Sequence, residues 1–112
     1  MSDCIFCKII DGDIPSTTVY EDDTIMVFKD IYPKAPVHLL MIPKQHIASL
    51  AEVNESHSEL LGYMMTKVPQ IAQQAGCLKG FRTIINTGAD GGQEVYHIHI
   101  HILGGGGPLP FA

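Results

Sequence analysis

Between positions 96 and 103 the chain reads Tyr96-His97-Ile98-His99-Ile100-His101-Ile102-Leu103, with imidazole and isoleucine in strict alternation. A period of two belongs to a β-strand, whose successive side chains leave on opposite faces. Ile98, Ile100 and Ile102 then share one face and can enter a core. His97, His99 and His101 share the other, about 6.5–7 Å apart along the strand. Three imidazoles on one face are poor core material, because each ring has two nitrogens that need partners. A single strand histidine is usually a satisfied bystander; three in register point to a site. From these residues alone two chemistries fit: a nucleophilic imidazole with its supporting rings, or an imidazole metal site.

The chain that must carry this strand has 112 residues, enough for a single domain over positions 1–112 that buries about 65% of its unfolded surface. A net charge of −5 speaks against nucleic acid or an anionic membrane as a general partner. A small anionic substrate, held locally by backbone N–H groups and imidazoles, is compatible with it. Met1-Ser2-Asp3-Cys4 is polar and acidic, unlike a secretory leader, and no apolar run approaches the roughly 18 residues of a membrane span. Three cysteines form an odd set without secretory context, so a disulfide framework is not expected and a reducing cytoplasm is.

Local patterns place the elements around the histidines. Cys4 to Ile10 reads as a short helix ended by Gly12, with Cys4 and Cys7 on one side of it. Thr18–Glu21 and Thr24–Phe28 read as strands joined by an Asp22-Asp23 turn. Two prolines keep positions 30–36 in a loop, and Val37–Ile42 is an apolar strand closed by Pro43. Lys44-Gln45-His46 is polar, exposed or site-forming. One long helix starts at an Asn54 or Ser56 cap, with Glu59 at capping-box spacing from Ser56, and stops at Gly76. Its stripe is Leu60, Met64, Val68, Ile71 and Ala75, widened by Leu61, Met65 and Ala72. Pro69 deletes one backbone bond and should bend the axis, and His57 falls on the solvated surface. Phe81–Asn86 is a further strand, followed by a Gly-rich turn from Thr87 to Gln93. Gly104–Gly107 and Pro108 form a patternless tail. Helices and antiparallel hairpins are segregated along the chain, so the class is α+β.

The Gly-rich turn meets the histidine strand end-on, and glycines let backbone N–H groups approach an anion closely. An imidazole nucleophile opposite such donors suggests phosphoryl or nucleotidyl transfer through a covalent phospho-histidine. Cys4 and Cys7 alone are a weak metal signal; two more ligands are needed, and His46 and His97 are available.

The run from His97 to Leu103, preceded by Gly91-Gly92-Gln93-Glu94-Val95-Tyr96, resembles the signature of the histidine-triad family, in the branch of nucleotide-binding purine nucleoside phosphoramidases. Cys4–Ile10, Ile14-Pro15, Asp30-Ile31, Ala35–His38 and Ile42–Ile47 resemble that branch in the same order, so the likeness covers nearly the whole chain. It implies an α+β domain with a five-stranded antiparallel sheet, one long and one short helix, and pairing into a homodimer. It implies hydrolysis of the P–N bond in adenosine or guanosine 5′-phosphoramidates and of aminoacyl adenylates. His99 would be the nucleophile, His97 and His101 would flank and orient it, and His38 would stand behind it. Asp30 would hold the ribose hydroxyls. Phe6, Ile14, Phe28 and Ile31 would wall the base pocket, with Asn86, Gly92 and Val95 on the phosphate side. Cys4, Cys7, His46 and His97 match a structural zinc quartet of some relatives; the chemistry itself requires no cofactor.

Three positions depart from the family pattern. Glu94 replaces a serine that in some members donates to the phosphate or leaving group. The tail carries no Trp, which in some members reaches the partner's site, and Pro69 interrupts the long helix. Two other functions would leave the same signature: a non-catalytic module that binds a purine nucleotide or a protein partner, and a pure metal-binding protein built on His97, His99 and His101.

Overall fold

The computed structural model describes residues 3–110. Helix α1 (Ile5–Ile10) is followed by strands β1 (Thr18–Glu21), β2 (Ile25–Lys29) and β3 (Val37–Pro43). Helix α2 (Ser58–Gln74) then precedes β4 (Phe81–Ile84) and β5 (Ile100–Gly104). The strands form one antiparallel sheet in the order β1-β2-β3-β5-β4, and the class is α+β.

The pleat sorts the core into two layers. Ile25, Val27, Leu39, Met41, Ile100 and Ile102 face one way and pack on Met64, Val68, Ile71 and Ala72 of α2. The intervening residues Met26, Phe28, Leu40 and Ile42 face the other way and pack on Phe6 and Ile9 of α1. Central strands buried on both faces read as continuous apolar runs, which is why β2 and β3 show no alternation.

Helix α2 follows its stripe, with two differences. Met65 is 49% exposed and does not widen the buried face. The capping box joins Asn54 to His57, not Ser56 to Glu59, and caps a 3-10 turn at Glu55–His57 that leads into α2. His57 Nδ1 accepts from the Asn54 N–H at 3.1 Å, so this ring is part of the cap and not free surface. Pro69 lies inside α2 on an exposed position, where it removes one helical N–H. The helix continues through it to Gln74. It ends in a Schellman motif: Gly76 at φ +105° donates to Gln73 O, and the N–H of Cys77 donates to Ala72 O at 3.0 Å.

The first hairpin turns one residue later than the acidic pair suggests. Glu21 faces Met26 and the Asp22 N–H donates to Ile25 O, so Asp23 and Thr24 make the turn. Asp22 is the staple instead. Its Oδ1 accepts from the N–H groups of Thr24 and Ile25 at 2.8 Å each, and its Oδ2 accepts from the hydroxyls of Tyr20 and Tyr63. Burial pushes the Asp22 carboxyl up, but these donors outweigh it and hold the group below the usual carboxylate range. The β1–β2 hairpin is thereby tied to α2.

Candidate functional site

The face of the sheet away from α2 carries His38 and Leu40 on β3, His101 and Leu103 on β5, and Arg82 and Ile84 on β4, all brought together by register. β5 is shorter than the alternation suggests: the ladder starts at Ile100, and residues 97–99 run ahead of it outside any strand. The reason lies in where their polar groups go. The Ile98 N–H donates to Ile47 O at 2.7 Å, not to β3. His97 Nε2 reaches the Pro43 carbonyl at 2.8 Å, so a side chain replaces the ladder there. The alternation of faces persists, since Ile98, Ile100 and Ile102 are buried.

These contacts assign the ring protons. A carbonyl can only accept, so His97 carries its proton on Nε2 and offers a lone pair at Nδ1. His99 Nδ1 lies 2.7 Å from the His97 carbonyl, which places its proton on Nδ1 and leaves Nε2 unprotonated. His38 Nδ1 accepts from the Lys34 N–H at 3.0 Å, so its Nε2 donates, to His101 Nδ1 at 2.9 Å. His101 then keeps its own proton on Nε2. The row presents one lone pair, on His99, and one N–H, on His101, with ring centroids 5.0 Å apart. Asp30 Oδ2 also lies 3.3 Å from His38 Nε2. Asp30, His38 and His101 thus form a hydrogen-bonded relay, with the His38 nitrogen that a cation would need already carrying the donated proton.

Burial pushes His38 below its usual value, aided by Lys34 and opposed by Asp30. Burial, then the neighbouring His99 and His38, push His101 down to about 4. Burial also lowers His97, against the Pro43 carbonyl. The unfolded chain takes up the His38 and His101 protons as pH falls through about 6.5, while the folded chain resists. The unfolded state therefore binds more protons in that window, and stability falls with pH. His101 alone should remove about 2 kcal/mol between pH 6.5 and 4, after allowance for its solvent-exposed edge. Urea unfolding of metal-free protein at pH 7, 6, 5 and 4 checks this; a flat midpoint across the series contradicts it.

The apolar side of the site is a cluster in which Phe6, Phe28, Ile14 and Val95 pack together. Phe6 stands edge-on to Phe28, and edge-on to His99 with ring centroids 5.1 Å apart. Ile31 does not join them; it is 80% exposed. Asn86 lines a cleft with His38 and His101. Gly92 sits in the Gly-rich turn, where its N–H donates to Ala89 O and that of Gln93 donates to Gly88 O. A Cβ at Gly91 would fall 2.4 Å from the Thr87 carbonyl oxygen, so the turn closes only around glycine. Buried Gln93 fixes the turn against the rest of the site: Oε1 accepts from the Gly88 N–H, and Nε2 donates to the carbonyls of Ala48 and Val95. The Pro43 carbonyl and the Lys34 amide escape sequence reasoning, since backbone groups leave no residue signature, and the Gln93 side chain does because its partners are backbone groups of Ala48, Gly88 and Val95.

Cys4, Cys7, His46 and His97 converge at the end of α1. His97 Nδ1 lies 3.3 Å from Cys4 Sγ, 3.6 Å from Cys7 Sγ and 3.1 Å from His46 Nδ1, and Cys7 Sγ lies 3.4 Å from His46 Nδ1. Tetrahedral zinc with Zn–N near 2.0 Å and Zn–S near 2.3 Å requires ligand separations of about 3.3–3.8 Å. The quartet fits, with the nitrogen pair slightly close. The Cys7 N–H also points at Cys4 Sγ at 3.3 Å, an orientation suited to a thiolate. Without a cation, burial and then Cys4 push the Cys7 thiol up to about 11, so binding a metal there releases protons.

Against known proteins, the family model described as scavenger mRNA decapping enzyme C-term binding matches residues 3–111. Protein HitA of Neisseria gonorrhoeae is 59% identical over 104 residues, covering 93% of this chain and 97% of that protein. The 14 kDa zinc-binding protein of Zea mays is 49% identical over 106 residues, covering 93% and 83%. The HIT family hydrolase from Legionella pneumophila superimposes with a TM-score of 0.89 at 51% identity, covering 92% of this chain and 93% of that one. A histidine-triad protein from Clostridium difficile gives 0.93 at 46% identity, covering 100% and 97%.

Proposed function

The chain belongs to the histidine-triad family, and from that premise we propose that it is a purine nucleoside phosphoramidate hydrolase with His99 as nucleophile. The observation that carries this reading is the 2.7 Å bond from His99 Nδ1 to the His97 carbonyl, which leaves the Nε2 lone pair for attack. His99 Nε2 bonds to the α-phosphorus of an adenosine or guanosine 5′-phosphoramidate, or of an aminoacyl adenylate. The bond from phosphorus to the leaving group breaks, and for a phosphoramidate its electron pair stays with the nitrogen, which takes a proton and departs as an amine. Water then attacks the nucleotidyl-His99 intermediate, forming a P–O bond, breaking the P–Nε2 bond and releasing the nucleoside monophosphate with a proton.

The remaining residues bind and orient. His101, kept neutral by burial and with Nδ1 accepting from His38, donates its Nε2–H to a phosphoryl oxygen. Asn86 and the backbone around Gly92 and Val95 hold the phosphate side, and the cluster of Phe6, Ile14 and Phe28 takes the base, with Ile31 closing over it. Asp30 accepts both ribose hydroxyls, its Oδ1 already aligned by the Tyr32 N–H at 2.8 Å. Asp30→Ala is expected to raise KM for adenosine 5′-phosphoramidate about 100-fold or more, the worth of two hydrogen bonds to a charged group. Steady-state kinetics check it, and an unchanged KM places the ribose elsewhere.

The zinc-ligand geometry supports Cys4, Cys7, His46 and His97 as a structural zinc quartet. Zinc held there crosslinks α1 to the segment after β3 and to the histidine segment. Strand β4 is a sheet edge, with Phe81 41% and Leu78 75% exposed beside it, which supports a homodimer through that edge. Light scattering at micromolar concentration should give twice the chain mass; a monomer contradicts the pairing. Among the described residues no helix is long and apolar enough to cross a membrane.

Wild-type protein should release AMP from adenosine 5′-phosphoramidate. AMP binding without release would favour the nucleotide-binding module.

A further inference from the structure

Beside His38 and His101 the cleft of about 490 Å³ that Asn86 lines carries two cations, with the Asp30 carboxylate behind the His38 ring. Its polar walls are Lys34, Arg82, Asn86 and the two imidazoles, and none of its lining residues is a carboxylate, in a chain of net charge −5. Register explains one cation. Ile84 pairs with His101 and Arg82 pairs with Leu103, so Arg82 projects from the same face one strand step beyond His101. The other is fixed by the backbone, since the Lys34 N–H donates to His38 Nδ1. Its ammonium is close enough to lower both His38 and His101. Neither Lys34 nor Arg82 forms an ion pair among the described residues. The Arg82 guanidinium donates to the carbonyls of Leu109 and Pro110 and so makes the tail a wall of the cleft. Those two neutral acceptors take two of five donors.

We propose that this cleft receives the leaving group, and that Lys34 and Arg82 select amines that carry a carboxylate. The inference rests on the phosphoramidase reading and narrows its substrates: among nucleotides N-linked through the α-phosphorus to an amine, those whose amine carries a free carboxylate, as in an amino acid, are preferred. In such a compound the carboxylate lies two bonds from the nitrogen that departs. It leaves with that nitrogen on the side of phosphorus away from His99, and the cleft that His101 shares with both cations can receive it. A carboxylate adds its own charge and can meet the guanidinium fork with two parallel bonds, so it competes with the tail for Arg82. Hydrolysis is unchanged in its balance: the P–N bond breaks, the nitrogen takes a proton, and water supplies the new P–O bond.

The test compares adenosine 5′-phosphate N-linked to glycine with the same nucleotide N-linked to glycinamide. The wild type should favour the carboxylate about tenfold in kcat/KM, the worth of one charge-assisted hydrogen bond. Because each ratio is internal to one protein, general damage by a substitution cancels. Lys34→Gln and Arg82→Gln should each bring the ratio toward unity, Lys34→Arg should retain it, and Lys34→Glu should favour the amide. Added salt should shrink the wild-type ratio, as Lys34 is exposed. A wild-type ratio near unity, or one that neither glutamine variant changes, overturns the subsite. If unsubstituted adenosine 5′-phosphoramidate is hydrolysed with that flat ratio, the subsite alone falls; if it is not hydrolysed, the phosphoramidase reading falls and takes the subsite with it.

Discussion

His99→Ala is expected to lower AMP release from adenosine 5′-phosphoramidate by at least about 10⁴-fold in kcat, with AMP affinity changed by less than about tenfold. On the proposed mechanism the loss is large because the ring would form the bond to phosphorus, and the neighbouring imidazoles are otherwise engaged. His97 has Nε2 on the Pro43 carbonyl and Nδ1 among the cysteines. His38 has both nitrogens engaged, and His101 presents an N–H where His99 presents a lone pair. A neighbour could substitute only by breaking a buried hydrogen bond and changing tautomer. Single-turnover kinetics with a labelled nucleotide should also trap a nucleotidyl-protein adduct in the wild type and none in His99→Ala. Full turnover by the variant would remove His99 from the mechanism.

Replacing both cysteines by serine should abolish zinc binding and lower the thermal midpoint by about 10 °C or more. Bound metal stabilises the folded chain by its mass-action term, and structural zinc sites bind tightly enough for that term to reach several kcal/mol. The positions are sensitive because α1 is only 6 residues long, and its N-cap is Cys4 itself. Phe6, which packs on both His99 and His97, depends on that short helix. The Cys4→Ser, Cys7→Ser protein should consequently lose activity as well, by about tenfold and far less than His99→Ala. Metal analysis should give about one zinc per wild-type chain and none in the double variant, and a chelator on the wild type should reproduce the shift in midpoint. Metal that survives the double substitution but leaves with His99→Ala would place it on the histidine row instead.

Much of this was legible in the residues, and the rest was hidden for physical reasons. The alternation from His97 to Leu103 specified which side chains share a face, and the stripe of α2 specified Met64, Val68 and Ile71 as core. Strand length was not specified, because the decision at 97–99 is made by the Pro43 and Ile47 carbonyls. Any residue supplies a carbonyl, so composition cannot announce it. The hairpin differs by one residue for a similar reason: composition makes Asp22 a turn residue, but one of its four donors is the hydroxyl of Tyr63, 41 positions away. Cys4, Cys7, His46 and His97 were nameable as a quartet only through family likeness, since spacing along the chain does not fix distance in space.

The two-layer sheet has a consequence for how such a chain tolerates change over generations. On one side, Met64, Val68, Ile71 and Ala72 meet Ile25, Val27, Leu39, Met41, Ile100 and Ile102, and none of the site histidines belongs to this layer. Substitutions there alter how long the molecule survives heat while the imidazole row keeps its protons where they are. On the other side Phe6 packs on His97 and His99, and drift is constrained by reactivity. A lineage carrying this architecture is thus free to acclimatise through one face while its substrate preferences diverge through the other.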